Sequence, residues 1–420
     1  MRKLLSLFSG AGGLDLGLTR AGFDMAGCVE KDGDSRETIK ANRPSWRQPE
    51  TGDIHSHRPH ELIEEFHLAP QQLALLAGGP PCQPFSKSGQ WKLGTTRRMS
   101  DPRAQTLKAY LDIAEAALPE VLLIENVAGM TATRKRVTQK HEGFDVVTSR
   151  LKKINKKHGT EYRAISVVIN AADYGVPQHR HRAFVFASRD GAAFEVPPPT
   201  HGADPDDPAH EGRNVLRYST AWDSIGDLDE ADFDPALLPT GKWGELLPSI
   251  PEGLNYLHHT ERGDGEPLFG WRRRYWSFLL KLAKDRPSWT IQAQAGPATG
   301  PFHWRSRRLT VREMARLQCF PDAWKIEGAT TSARRQVGNA VPPPIGELLG
   351  LEIRRQFFGE RPRPKESLTP TLREDCPPPE PPAPVPSAYL PLRGKQSAHP
   401  GAGQGPGALA IAAAAAVASP

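Results

Sequence analysis

The sequence predicts an α/β protein: a doubly wound sheet, parallel until a final antiparallel pair, followed by a smaller and less regular domain. Three observations predict it. Over the first 190 residues, short apolar runs of β type alternate with stretches of helical character. The last two runs are joined through residues 174–182, which carry no helical pattern, and that fits an antiparallel pair. Beyond Arg189 the composition turns to Pro, Gly and Asp with weak periodicity.

Each element has its own signature. Strands are expected at 4–8, 26–29, 73–77, 121–124, 164–169 and 183–187. A glycine turn and a helix follow the first. Residues 190–260 read as loops or a poorly regular domain. Residues 262–308 hold ten Lys/Arg against three acidic groups, interleaved with Trp271, Tyr275, Trp276, Trp289 and Trp304. Those tryptophans are expected as core of the small domain in preference to wedges between bases. Helical spacing returns at 309–319 and 345–358. From Gly359 the chain holds fourteen of its forty-one prolines and then a Gly/Ala run. Such a segment buries too little apolar surface to offset its ordering entropy, so disorder is expected over 359–420.

A chain of 420 residues can bury a sizeable core and is expected to hold two domains plus extras. The formal charge of +6 permits a nucleic-acid partner without demanding one. Cys28, Cys82, Cys319 and Cys376 form no CxxC pair, which argues for a reducing compartment and against a metal site or disulfide framework. No apolar run reaches the roughly 18 residues of a membrane span. The first residues resemble a signal peptide but run into the glycine turn, so a strand and a cytoplasmic protein are expected.

Several motifs carry chemistry. In Gly-Gly-Pro-Pro-Cys82-Gln-Pro-Phe-Ser86, prolines stiffen the backbone around a lone thiol just past a buried strand, where α/β folds hold substrates. Gly10, Gly12 and Gly13 form a turn before a helix, which suits close approach of a ligand. It is not the dinucleotide fingerprint, because Asp15 takes the place of the third glycine. Glu30 ends the second strand and suits two ribose hydroxyls; Asp53, before Ile54, suits an adenine amino group. Taken singly, Glu30 also reads as a solvated strand end and Asp53 as a helix cap. Together with the turn they describe an adenosyl-ligand site. The fourth strand runs into Glu125, a costly position unless the acid is paired or protonated. Arg180 and Arg182, two apart, share one face of an extended segment and offer that partner.

These blocks, with Gln178-His-Arg-His-Arg182, residues 308–321 and Gln336-Val-Gly-Asn-Ala-Val-Pro342, stand in an order that resembles the DNA (cytosine-5)-methyltransferases of bacterial modification systems. The resemblance spans roughly residues 3–355. It implies a Rossmann-like, S-adenosylmethionine-dependent methyltransferase sheet with an antiparallel terminal strand. It divides the chain into a catalytic, cofactor-binding domain (1–189), a target-recognition domain (190–335), a segment completing the catalytic domain (336–358) and the tail.

The resemblance also implies roles. Phe8, Gly10, Gly12 and Gly13 would line the cofactor site, with Glu30 on the ribose, Asp53 and Ile54 on the adenine, and Pro81 and Asn339 completing the pocket. Lys31 stands where some relatives have an aromatic residue for stacking on the adenine. Cys82 would add to C6 of a flipped cytosine, Glu125 would hold N3 and the exocyclic amine, and Arg180 and Arg182 would fix Glu125 and O2. Ser86, Lys87 and Gln90 on a closing loop, and Arg272, Arg273, Arg305 and Arg307 beyond it, are the expected DNA contacts. No metal is expected; the partners are double-stranded DNA and a cognate restriction endonuclease, and the protein is expected to be a monomer. The rival within the superfamily is a tRNA cytosine-5 methyltransferase, but the Cys-Phe-Thr element usual there is absent.

Overall fold

Leucine, alanine and valine crowd the strands on both faces, as expected for parallel strands covered from either side. In the computed structural model, which describes residues 1–81, 105–127, 142–229, 232–270 and 274–394, they form β1 (Lys3–Leu7), β2 (Asp24–Val29), β3 (Leu75–Gly78), β4 (Val121–Val127), β5 (Ile165–Asn170), β6 (Gln178–His179) and β7 (His181–Ser188). A six-stranded sheet has the order β2-β1-β3-β4-β7-β5. β1, β2, β3 and β4 pair in parallel, and β7 runs antiparallel between β4 and β5. The expected antiparallel pair is present, with β7 inserted inside the sheet. β6 pairs instead with Ser288–Trp289.

The helices are α1 (Gly13–Arg20), α2 (Gly33–Asn42), α3 (Pro59–Glu65), α4 (Gln105–Ala117), α5 (Glu142–His158), α6 (Ala221–Ile225), α7 (Val311–Leu317), α8 (Thr330–Asn339) and α9 (Pro343–Phe358). α3, α4 and α5 cover one sheet face around Leu62, Leu111 and Leu151. α1 and α9 cover the other around Leu18, Ile345 and Leu349. These two approach closely: a Cβ on Gly17 would stand 2.3 Å from the Pro343 carbonyl, and one on Gly346 2.7 Å from that of Leu14. The far end of the chain is thereby fastened beside the glycine turn. A third core joins α2 to the later helices through Ile39, Trp46, Trp222, Trp304 and Trp324.

Two expectations are corrected. Of the 359–420 tail expected to be disordered, residues 359–394 pack across the 190–335 region, and 395–420 lie outside the described residues. The Arg373 amide donates to Asp223 at 2.6 Å, the Trp222 indole to Asp375 at 3.2 Å, and Tyr389 is buried against Trp243 with its hydroxyl on the Lys242 carbonyl at 2.8 Å. The composition argument failed because proline-rich chain has little entropy left to lose, so a few anchors suffice. The tryptophans also divide: Trp304 is core, but Trp276 and Trp289 are exposed and meet edge to face. Among the described residues, no helix is long and apolar enough to cross a membrane.

Candidate active site

Parallel register assembles the site. Leu7 lies opposite both Val29 and Gly78, and Gly78 lies opposite Ile124. One residue further on, Phe8, Glu30, Gly79 and Glu125 therefore stand in a row along the carboxyl edge of the sheet, where open α/β folds bind ligands.

At one end of the row is the glycine turn. Phe8 adopts φ 60°, a conformation costly for a non-glycine residue, and its amide donates to the Val29 carbonyl at 2.7 Å. Gly10 faces open space, and its amide donates to Glu30 Oε2 at 2.7 Å. Gly12 and Gly13 serve packing as well: Cβ atoms there would stand 3.1 Å from Trp324 and 2.2 Å from the Val341 carbonyl oxygen. The Asp32 amide holds Glu30 Oε1 at 2.7 Å. Burial raises the Glu30 pKa, opposed by these amide bonds. Each Glu30 oxygen keeps a lone pair for a hydroxyl donor, so the residues fit an adenosyl group. Asp53 caps the turn containing buried Ile54, and its other oxygen meets Lys31 at 2.6 Å. That pair is exposed and worth little, so it does not close the site. Asn339, exposed at the end of α8, and Pro81, exposed after β3, complete the set of cofactor residues anticipated from the sequence.

Glu125 is a largely buried carboxylate at the middle of the sheet edge. Its partner follows from antiparallel register: Arg182 lies opposite Val127, diagonal to Glu125 on the same face. Arg182 Nε meets Glu125 Oε1 at 3.0 Å, with both side chains largely buried. Burial drives the Glu125 pKa up, opposed by Arg182 and then Arg180. Burial thus penalises the charged form of this carboxyl while its paired guanidinium favours it.

Arg180 departs from its expected role. It makes no hydrogen bond to Glu125; it is buried and donates to the Gly338 and Ala340 carbonyls at 2.9 and 2.7 Å. These flank Asn339, so Arg180 fixes the backbone on either side of that residue. Arg305 and Arg307 are likewise corrected as DNA contacts. Arg307 is buried in a bidentate pair with Glu313 at 2.8 and 2.7 Å, and Arg305 is held by Asp229 and Glu380. Cys82, Ser86, Lys87, Gln90, Arg272 and Arg273 lie outside the described residues.

Asp15 was noted in the sequence only for not being a glycine. It is fully buried, accepts from the Ser6 hydroxyl at 2.5 Å, and burial lifts its pKa to about 6. An acid set among Leu14, Leu16 and Leu18 opposite a strand serine was the available signal.

A six-stranded α/β sheet that is parallel except for one strand reversed inside it is the fold of the α/β methyltransferases. The solved structures agree on the fold. An Entamoeba histolytica methyltransferase, EhMeth, and a mutant of Spodoptera frugiperda DNMT2 each superpose with a TM-score of 0.54 at 16% identity, covering 84% of this chain and 98% and 99% of theirs. Residues 2–355 match the model of the C-5 cytosine-specific DNA methylases, and the chain belongs to that family, as a type II DNA (cytosine-5)-methyltransferase. It is 35% identical to the type II methyltransferase M.SacI of Streptomyces achromogenes, over 84% of this chain and 93% of that one. It is 34% identical to M.NgoFVII of Neisseria gonorrhoeae, over 81% and 83%.

Proposed function

We propose that the protein methylates C5 of a cytosine flipped out of duplex DNA at one defined site, using S-adenosylmethionine, and so protects that site from a cognate endonuclease. The observation that carries the reading is the Glu125–Arg182 pair, on the same sheet edge as the glycine turn and the Glu30 carboxylate, with β3 between Glu125 and the turn. S-adenosylmethionine supplies an electrophilic methyl group. Glu30 binds the ribose hydroxyls, Asp53 accepts from the adenine amine, and Phe8, Ile54, Pro81 and Asn339 line the pocket.

The pyrimidine ring needs two kinds of help. Cys82 thiolate adds to C6, and the electron pair displaced from the C5–C6 bond makes C5 nucleophilic. Glu125 holds a proton at N3 and so relieves the charge that this addition creates. A proton-bearing carboxyl is what burial at this position favours, and Arg182 orients it without abolishing that tendency. After methyl transfer, loss of the C5 proton expels the thiolate and restores the ring. Extrusion of the base costs a few kcal/mol, offset by these contacts.

The test is bisulfite sequencing of DNA from a host expressing the wild type or Cys82→Ala. The wild type should mark one short sequence throughout the genome, and Cys82→Ala none, while purified Cys82→Ala still binds S-adenosylmethionine. Marking by Cys82→Ala at wild-type level would overturn the nucleophile assignment.

A further inference from the structure

Two arginines line one cavity in this fold, and among the described residues neither is paired with an acid. The cavity, of about 480 Å³, lies between the 291–302 loop and α8, and its wall includes Gln292, Gln294, Thr331, Ser332, Arg308 and Arg334. Arg308 donates to the Pro297 carbonyl at 3.1 Å and Arg334 to the Leu309 carbonyl at 3.2 Å. Neither makes an ion pair among the described residues, and Arg334 Nε is buried with no hydrogen-bond partner. Their neighbours behave otherwise. Arg307 is bidentate to Glu313, and Arg335 pairs with Asp32 at 2.8 Å. Asp34 is the one carboxylate on the cavity wall, so Arg308, Arg334 and Arg335 leave an excess of positive charge there.

Half-buried like charges repel, and each loses hydration without gaining a counter-charge. Burial, and for Arg308 also the proximity of Arg334, pulls both guanidinium pKa values below the usual range. That arrangement is unfavourable alone and becomes favourable once an anion enters.

We propose that Arg308 and Arg334 form a built phosphate site that grips one backbone phosphodiester of the substrate DNA. This rests on the DNA reading above and deepens it. The position supports DNA over a small anion. α8 runs from this cavity, at Thr331, to Asn339 at the cofactor edge, about 12 Å along the helix axis at 1.5 Å per residue. Arg334 itself lies five residues before Asn339 on the same helix, about 7.5 Å along its axis, so a duplex whose base is extruded toward the cofactor edge passes close to this pair. A phosphate contact at that distance sets register without reading sequence.

The test measures binding of the full-length enzyme to its methylated-site duplex and to a scrambled duplex, from 50 to 200 mM salt. The proteins are the wild type, Arg308→Gln/Arg334→Gln and Arg308→Lys/Arg334→Lys, and wild-type methylation of the same duplex is followed in parallel. The glutamine pair should weaken both duplexes equally, about fivefold at 0.15 M salt. It should also flatten the slope of log K against log salt by about 0.9, the loss of one phosphate contact. S-adenosylmethionine affinity should stay put, and the lysine pair should recover most of the slope. An unchanged slope overturns the site, as does a loss confined to the cognate duplex, which would mean base reading. A glutamine pair that fails to fold leaves the decision to the single variant Arg308→Gln: a slope flattened with equal loss on both duplexes supports the site, and a wild-type slope sinks it. A wild type that methylates no DNA sinks the underlying function instead.

Discussion

Replacing Arg182 with methionine keeps most of the side chain's packing and removes only its charge and donors. Glu125 then remains buried with its main counter-charge gone, since Arg182 is the largest influence opposing the upward shift of its pKa. Losing one partner of a buried pair costs about 3–5 kcal/mol when the other must stay ionised. Glu125 has an escape, however: it can take up a proton. The ordinary value for glutamate is 4.5. Holding a carboxyl protonated at pH 7 therefore costs at most about 3.4 kcal/mol, at about 1.36 kcal/mol per pH unit. At pH 5 the same ceiling is about 0.7 kcal/mol.

The sign follows from the raised pKa. A group held above its unfolded value is fully tolerated below that unfolded value, and its contribution is lost as pH climbs through the folded one. Arg182→Met pushes the folded value higher, so the variant should unfold about 2–3 kcal/mol more easily at pH 7 and nearly match the wild type at pH 5. Urea titrations at both pH values measure this. A deficit that is the same at pH 5 and pH 7 would refute the reasoning, because lost packing carries no proton dependence. Methyl transfer should fall at every pH, since the remaining carboxyl is no longer oriented.

Two further outcomes follow from packing. Tyr389→Ala should destabilise the 190–335 region by about 3 kcal/mol, since an aromatic side chain stacked on Trp243 leaves a cavity; proteolysis within 240–280 should quicken while S-adenosylmethionine binding is retained. Gly17→Ala should cost about 1–3 kcal/mol, because its Cβ meets the Pro343 backbone and not a flexible side chain. Calorimetry should also find weaker S-adenosylmethionine binding, because α9 is pushed away from the glycine turn.

The sheet was legible because its strands are buried on both faces, and uninterrupted apolar runs such as Leu73–Ala77 have few other readings. Glu30 and Glu125 were legible for the opposite reason: a carboxylate that ends such a run needs an explanation. The arginines were not. Arg305, Arg307 and Arg308 are indistinguishable by type and spacing, and only the tertiary positions of Asp229 and Glu313 decide which two are occupied internally. The tail misled because composition measures how much apolar surface a segment owns. It does not report whether one residue, Tyr389, finds a hole of the right shape.

The five residues from Gln178 to Arg182 join these threads. Their two arginines reach in different directions: Arg182 to the Glu125 carboxylate, Arg180 to the carbonyls that flank Asn339. The segment is itself pinned, with the Gln178 amide donating to the Leu317 carbonyl at 3.2 Å and its carbonyl oxygen accepting from the Ile291 amide at 3.2 Å. Residues 178–182, which pass from β6 through Arg180 into β7, thus tie the partner of Glu125 to the backbone beside Asn339 through one short pinned segment. Transfer between two bound partners gains most from such fixed spacing, where a displacement of about 1 Å can cost a hundredfold in rate. On the proposed function, a guanidinium that makes no hydrogen bond to Glu125 therefore belongs to the same machinery as one that grips it.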